Sequence, residues 1–391
     1  MTQLTTRHSI ALAIGCAPIF MLGFANAAWA INDQPVSAGN SMLDIEFDTA
    51  GKTQRYTYCQ PTSGSNGPGT LYAGTIVNVA GYLSTPPVNV GTCAFVGNGP
   101  EWGRDSSGTF VSYLDYDVSN KLTIKFIRPP TSGATGWTPQ QMTYVPALQS
   151  PNVVFASQDQ GSAARVVFMS QANGGSLTTQ GLTGGPLTRC IIATNGITGN
   201  FPRFSSYESY LMYTQVSGGA RQVFKADTST ACNAPIQLTN NLDEKSTVTA
   251  WTAPESGVGN VYGVLVGDND VATQYKVYSA SNNSLLVTVS TMNGQPFNSP
   301  ETFQTATASY LLYMSQDGFG NKSIYVANLH LDPTNPNPDA SVTQKKMSSS
   351  ETRLRVEPEV GFWSNGKPLI YFSAIVGGAS AVYRTAETEL P

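Results

Sequence analysis

Hydrophobic and polar positions alternate with a period of two along much of this chain. In "YLMYTQ", from Tyr210 to Gln215, Tyr210, Met212 and Thr214 fall on one side, and Leu211 and Tyr213 on the other. The same alternation runs through "YLLYMS" from Tyr310 and "PLIYFS" from Pro368. This period belongs to strands and not to helices. The stretch "VEPEVGFWSNGKPLIYFSA", Val356 to Ala374, reads strand, tight turn, strand, with Asn365-Gly366 as the hairpin signal. It recurs. Copies begin at Gly99, Ser150, Phe201, Val248, Ser299 and Glu357. Prolines open the first strand at 100, 151, 202, 300 and 358, and Thr249 stands in the proline's place in the remaining copy.

A period of about fifty residues, with three or four strands per unit, predicts propeller blades. One twisted sheet leaves two faces and two edges uncovered; blades packed around an axis cover the faces and leave only short edges. The expected fold is all-β: a propeller of six blades, each of four antiparallel strands. The last copy holds three strands before the chain ends at Pro391, so a strand from the N-terminal segment is expected to complete it. "LDIEF" and "TLYAGTIVNVAGYL" are the two candidates for that strand. The organisation predicted is a targeting segment at 1–30, an N-terminal segment at 31–98 and repeats over 99–391. Aromatics ending the first strands (Trp102, Phe155, Phe204, Trp251, Phe303, and Phe362 or Trp363) are expected between blades.

Composition agrees with this reading. Charged residues make up only 12% of the chain, while Gly (37) and Pro (24) are abundant, as short strands and turns require. The net charge is −4, and no basic stripe with interleaved aromatics is seen, so nucleic acid is not an expected partner.

The repeats resemble those of the TolB-type six-bladed propellers, whose unit runs P-x-F/W-S-P-D-G-x-x-I/L-x-F/Y. "PRFSSYESYLMYTQ" and "PEWGRDSSGTFVSYL" carry its skeleton, and "QVFKAD" and "SIYVAN" its third strand. The resemblance spans Gly99 to Glu387. "TAWTAPESG" departs from it by lacking the proline, and "SPNVVFASQDQG" by lacking the aspartate-glycine turn. The resemblance implies an exported binding platform with a protein partner at the channel mouth. The last copy is also similar to a strand pair of the five-bladed glycoside hydrolases. There, two carboxylates flank a glycosidic bond at roughly 6.5–9.5 Å for inversion. Glu357 and Glu359 supply an acid candidate here, but no Asp partner is evident, and the plainer reading is a solvated strand end.

The first thirty residues read as a secretory leader. Arg7 gives the charged start, an apolar run follows from Ile10 to Ala25, and Ala28-Trp29-Ala30 places small residues before a cut that leaves Ile31 first. No later segment reaches spanning length, so the mature chain is expected to be periplasmic or secreted, without a stable membrane span. It keeps four cysteines, Cys59, Cys93, Cys190 and Cys232, an even number that suggests disulfides in an exported chain. Sequence proximity favours Cys59–Cys93 and Cys190–Cys232. No CxxC spacing exists, His330 is the only histidine past the leader, and neither a metal nor another cofactor is expected. "GDNDVAT" at 267–273 reads as a hairpin turn more than a calcium loop, and no G-x-S-x-G elbow is present.

Catalytic residues are therefore not assigned. The expected ligand-binding set is Glu101, Trp102, Arg203, Glu301, Glu359 and Trp363. The four charged members lie within one or two residues of a blade-opening proline, so four blades should bring them to one mouth of the channel. The leading reading is a non-catalytic binding module of the bacterial envelope or exterior, taking a protein or glycan ligand. A carbohydrate-active enzyme and a structural or adhesive surface component are the alternatives.

Overall fold

The computed structural model describes residues 32–36, 43–49, 51–62, 67–84, 86–95, 99–130, 137, 140–141, 151–156, 165–170, 176–182, 190–193, 203–204, 210–228, 233–267, 271–316, 321–335, 342–350, 355–376 and 379–391. These form seven four-stranded antiparallel sheets and, among the described residues, no helix. Each sheet is one blade, and the strand order within it follows the chain from the channel outward. The inner strands are Leu43–Phe47, Glu101–Asp105, Pro151–Ala156, Arg203–Phe204, Lys245–Thr252, Asn298–Gln304 and Arg355–Phe362, which we number blades 1 to 7.

The propeller is confirmed, and the count of six blades is corrected to seven. The extra blade is built from Leu43–Phe47, Arg55–Pro61, Gly67–Thr75 and Val88–Phe95, inside the segment assigned above to closing the ring. "LDIEF" is thus an inner strand and not the closing one. Its copy is hard to recognise because Ile45 stands where other blades place proline. The blade is complete in itself, so it packs as an equal member of the ring.

Closure does use the N-terminus, but through a shorter strand than either candidate. Gln34–Pro35 pairs with Arg384 and Tyr383 at the outer edge of blade 7, which otherwise has only three strands. Asp33, immediately before it, is fully buried and makes an ion pair with the equally buried Arg355, Nη2 to Oδ2 2.6 Å. Its other carboxylate oxygen accepts the backbone N–H groups of Ser349 and Ala386. Arg355 also donates to the carbonyls of Lys322 and Ser349. One aspartate near the chain's start therefore ties blade 7 to the end of blade 6.

The core is divided as a ring demands: the described residues form an apolar cluster between every pair of neighbouring blades. The cluster joining blades 7 and 1 stacks Phe47 on Tyr371 at 4.4 Å, so the ring is sealed by packing as well as by pairing. The aromatics ending the inner strands, Trp102, Trp251, Phe303 and Phe362, are buried between blades. Each offers a large apolar area whose removal from water favours the closed ring. The Asn365-Gly366 turn forms as its sequence requires: Gly366 takes φ 77°, and its N–H donates to the Trp363 carbonyl at 2.8 Å.

Cys59 and Cys93 form a disulfide, linking the second and fourth strands of blade 1. Cys190 is disulfide-bonded as well. Cys232, the leader, the 268–270 turn and the side chain of Arg203 lie outside the described residues.

Candidate functional site

Inner strands enter the propeller at one mouth of the channel, and several enter it through a β-bulge. The ladder to the second strand slips between Leu43 and Glu46, Asn298 and Glu301, and Val356 and Pro358. At each slip a non-glycine residue sits in the left-handed region: Asp44 at φ 54°, Ser299 at 44° and Glu357 at 46°. A bulge of this kind kinks the strand and re-aims the side chains beyond it. The next residue, Ile45, Pro300 or Pro358, turns into the blade packing and is buried. The residue after that is a glutamate in every case: Glu46, Glu301 and Glu359. Gly99-Pro100-Glu101 repeats the step in blade 2, with Pro100 also buried.

Four glutamates thus hold one register position in blades 6, 7, 1 and 2, which are contiguous around the ring. By sequence alignment of the blade starts, blades 3, 4 and 5 place Asn152, Arg203 and Ala250 there. Among the predicted residues, Glu101, Glu301 and Glu359 converge. Their charges act together on Glu46, and Asp44 adds to them, which requires the carboxylates of four blades to face one channel. Trp102 has a different part: it is buried between blades 1 and 2, and its indole N–H donates to the Glu46 carbonyl at 3.2 Å. It fixes the backbone that carries a glutamate and offers no surface to a partner. Trp363 follows the far end of the blade 7 inner strand, four residues and about 13 Å of extended chain from Glu359. It packs partly buried against the blade 7–blade 1 cluster, away from the mouth.

Sequence reading missed three contributors. Glu46 and Asp44 were hidden because Ile45 replaces the blade-opening proline; the shared apolar-Glu step of "IEF", "PEW", "PET" and "PEV" is the signal that finds them. The third is Tyr275. Its ring crosses Gly263, where an added Cβ would lie 2.1 Å from the phenol oxygen, and its hydroxyl meets that of Thr249. Only glycine on the second strand lets a third-strand tyrosine reach the inner strand, and the charge of Glu301 is felt there.

Burial pushes the Glu46 carboxyl well above the usual range, and Glu359, Glu101, Asp44 and Glu301 push it further. Glu357 is raised to about 7, first by dehydration and then by Asp44, with Lys322 opposing. Several like charges gathered at one channel mouth cannot all ionise cheaply. The folded state therefore holds the Glu46 and Glu357 protons more tightly than the unfolded chain. For Glu357 the stabilising difference is full below the ordinary value of 4.5 and is lost as the pH rises through about 7. Thermal melts of wild type and a Glu46→Gln/Glu357→Gln variant across this window check it. The variant should decline less steeply and melt a few degrees higher, roughly, on the alkaline side. Parallel curves would show that neither carboxyl holds its proton more tightly in the folded state.

Among the described residues, no three His, Cys, Asp or Glu side chains are arranged to hold a metal ion, and no helix is long and apolar enough to cross a membrane. His330 is exposed, and its Nε2 lies 2.9 Å from the Thr343 hydroxyl.

No protein-family model matches the chain, and no curated protein matches its sequence. Solved structures do resemble it. An oligogalacturonate lyase bound to manganese superposes with TM-score 0.52 and 13% identity, covering 91% of this chain and 99% of that one. A 6-phosphogluconolactonase candidate from Bacteroides uniformis gives 0.52 and 12%, covering 85% and 95%. TolB from Acinetobacter baumannii is also matched, at 0.38 and 12%, covering 86% and 81%. At these identities the likeness of the first two extends to the propeller fold alone, and that of TolB carries no further weight.

Proposed function

We propose that this chain is an exported, non-catalytic propeller of the bacterial envelope or exterior that binds a protein or glycan ligand at the acidic mouth of its channel. The observation that supports this is the placement of Glu46, Glu101, Glu301 and Glu359 at one register position in four adjacent blades. Four such carboxylates form an arc of negative potential on a rigid rim. The complementary ligand brings positive groups, as lysine or arginine side chains or an amino sugar do. The rim is pre-formed by bulges, so little ordering is needed on binding. Glu101→Gln/Glu301→Gln removes two partly exposed charges without changing shape. Capture of ligand from the cell envelope by the exported form, beginning at Ile31, should fall by about tenfold and lose its salt sensitivity, with the melting temperature unchanged or slightly raised. Undiminished, salt-sensitive capture by this variant would place the ligand elsewhere.

A second reading, a glycoside hydrolase-like enzyme, is favoured by one observation. Glu357, raised to about 7, stands near ionisable partners in a channel, and such pairs suit acid-base work. The oligogalacturonate lyase and the lactonase candidate show that propellers of this shape host carbohydrate chemistry in other proteins. Turnover of polysaccharide by the wild type, abolished in Glu357→Gln with binding retained, would select it over the first.

A further inference from the structure

Blades 1 and 2 diverge on the mouth side of the ring, one to two strands outward from the glutamates, and leave a cleft of about 400 Å³. A second bulge opens it. The blade 1 ladder slips between Leu71 and Tyr72, with Val90 turned into the core and Asn89 left on the rim. Thr70 and Thr92 line the blade 1 side, and Tyr113, Asp115 and Lys125 the blade 2 side.

The charges in this cleft cancel. Asp115 is buried, and its Oδ2 accepts from Lys125 and from the Thr92 hydroxyl, both at 2.6 Å. Its Oδ1 takes the Tyr116 N–H at 2.8 Å. A carboxylate so occupied has no charge to offer a cation, and Lys125 is already neutralised toward an anion. What remains is a set of neutral groups able both to donate and to accept. Thr92 donates inward and keeps its lone pairs. Asn89 accepts the Gly91 N–H at 3.0 Å and keeps its amide protons. Tyr113 is the most telling member. It is 1% exposed and lines the cleft, yet its hydroxyl has no hydrogen-bond partner among the described residues. Buried hydroxyls without partners are uncommon and call for an explanation.

We infer that this inter-blade cleft binds a small neutral polyhydroxylated molecule, a mono- or disaccharide or the end of a glycan. Hydroxyls that donate and accept along one face match a wall of Thr, Asn and Tyr groups of the same kind, and the volume lies in the range of small-ligand sites. The site is separate from the channel mouth and does not depend on the role proposed there.

Saturation-transfer NMR on the full exported chain tests it, with glucose, N-acetylglucosamine and maltose as neutral probes and acetate and phosphate as charged ones. At least one sugar should bind with millimolar-range affinity, and the charged probes should not. Tyr113→Phe removes only the unpartnered hydroxyl; it should melt at the wild-type temperature and bind that sugar roughly tenfold more weakly. Glu101→Gln/Glu301→Gln should bind it as the wild type does. The inference is overturned by any of four results: no sugar binds, the charged probes bind equally, Tyr113→Phe leaves affinity unchanged, or the channel variant loses the sugar.

Discussion

Asp33→Ala is expected to destabilise the protein by about 3–5 kcal/mol, the cost of removing one member of a buried ion pair. Arg355 is fully buried, and after the substitution its guanidinium would lose this ion pair while keeping the Lys322 and Ser349 carbonyls and the Ser349 hydroxyl. The backbone N–H groups of Ser349 and Ala386 would lose their acceptor as well. The damage should be specific in place. Gln34–Pro35 is only a two-residue strand, and Asp33 is the group that anchors it. Limited proteolysis should therefore cut first within the N-terminal strand and blade 7. Arg355→Met alone should cost a similar amount, since it strands the aspartate. Asp33→Asn with Arg355→Met should recover a large part of the loss, because replacing both members of a buried pair by neutral groups removes the desolvation term from each. Equilibrium denaturation of the three variants measures the coupling. If Asp33→Ala unfolds within about 1 kcal/mol of wild type, the ring is closed by packing across the Phe47–Tyr371 contact and not by this pair.

The second large effect is expected at the blade 1 disulfide. Cys59 and Cys93 are 34 residues apart, and closing a loop of that size in the unfolded chain is worth about 3–4 kcal/mol in the chain-entropy account. Both sulfurs are buried in the cluster between blades 1 and 2, so a Cys59→Ala/Cys93→Ala variant also leaves a small cavity there. The loss should appear as early unfolding of blade 1. That blade carries Glu46 and shares Trp102 with blade 2, so the carboxylate arc should loosen with it. Hydrogen exchange of the Arg55–Pro61 and Gly67–Thr75 strands before and after reduction measures this. Exchange in blade 1 no faster than in blade 5 after reduction would sink the prediction. Because blades interact chiefly with their neighbours, the transition need not be a single step, and a local measure is the proper one.

The class of the fold and the direction of its chemistry were legible in the residues. Period-two alternation, turn pairs such as Asn365-Gly366 and a unit of about fifty residues are local properties, set by backbone sterics and side-chain alternation, and they survive in each copy. The position of Glu101, Glu301 and Glu359 just after a proline is local too, and it led to three of the four glutamates. What the residues left open was everything decided by closing the ring. The number of blades depends on how many sheets, each turned by its packing on the last, return to the first. The copy that settles it carries Ile45 in place of proline. Which strand closes the circle was decided by a two-residue segment whose neighbour Asp33 meets Arg355 across 322 residues of sequence. That pair has no local signature, since either residue alone reads as an ordinary surface charge. The same holds for Trp102 and Trp363. Both are aromatics near the ends of inner strands, but which is sealed between blades and which lies beyond the far end depends on strand length and register. Composition and spacing specify the blade; the ring, its clasp and the convergence of carboxylates exist only once seven blades share one axis.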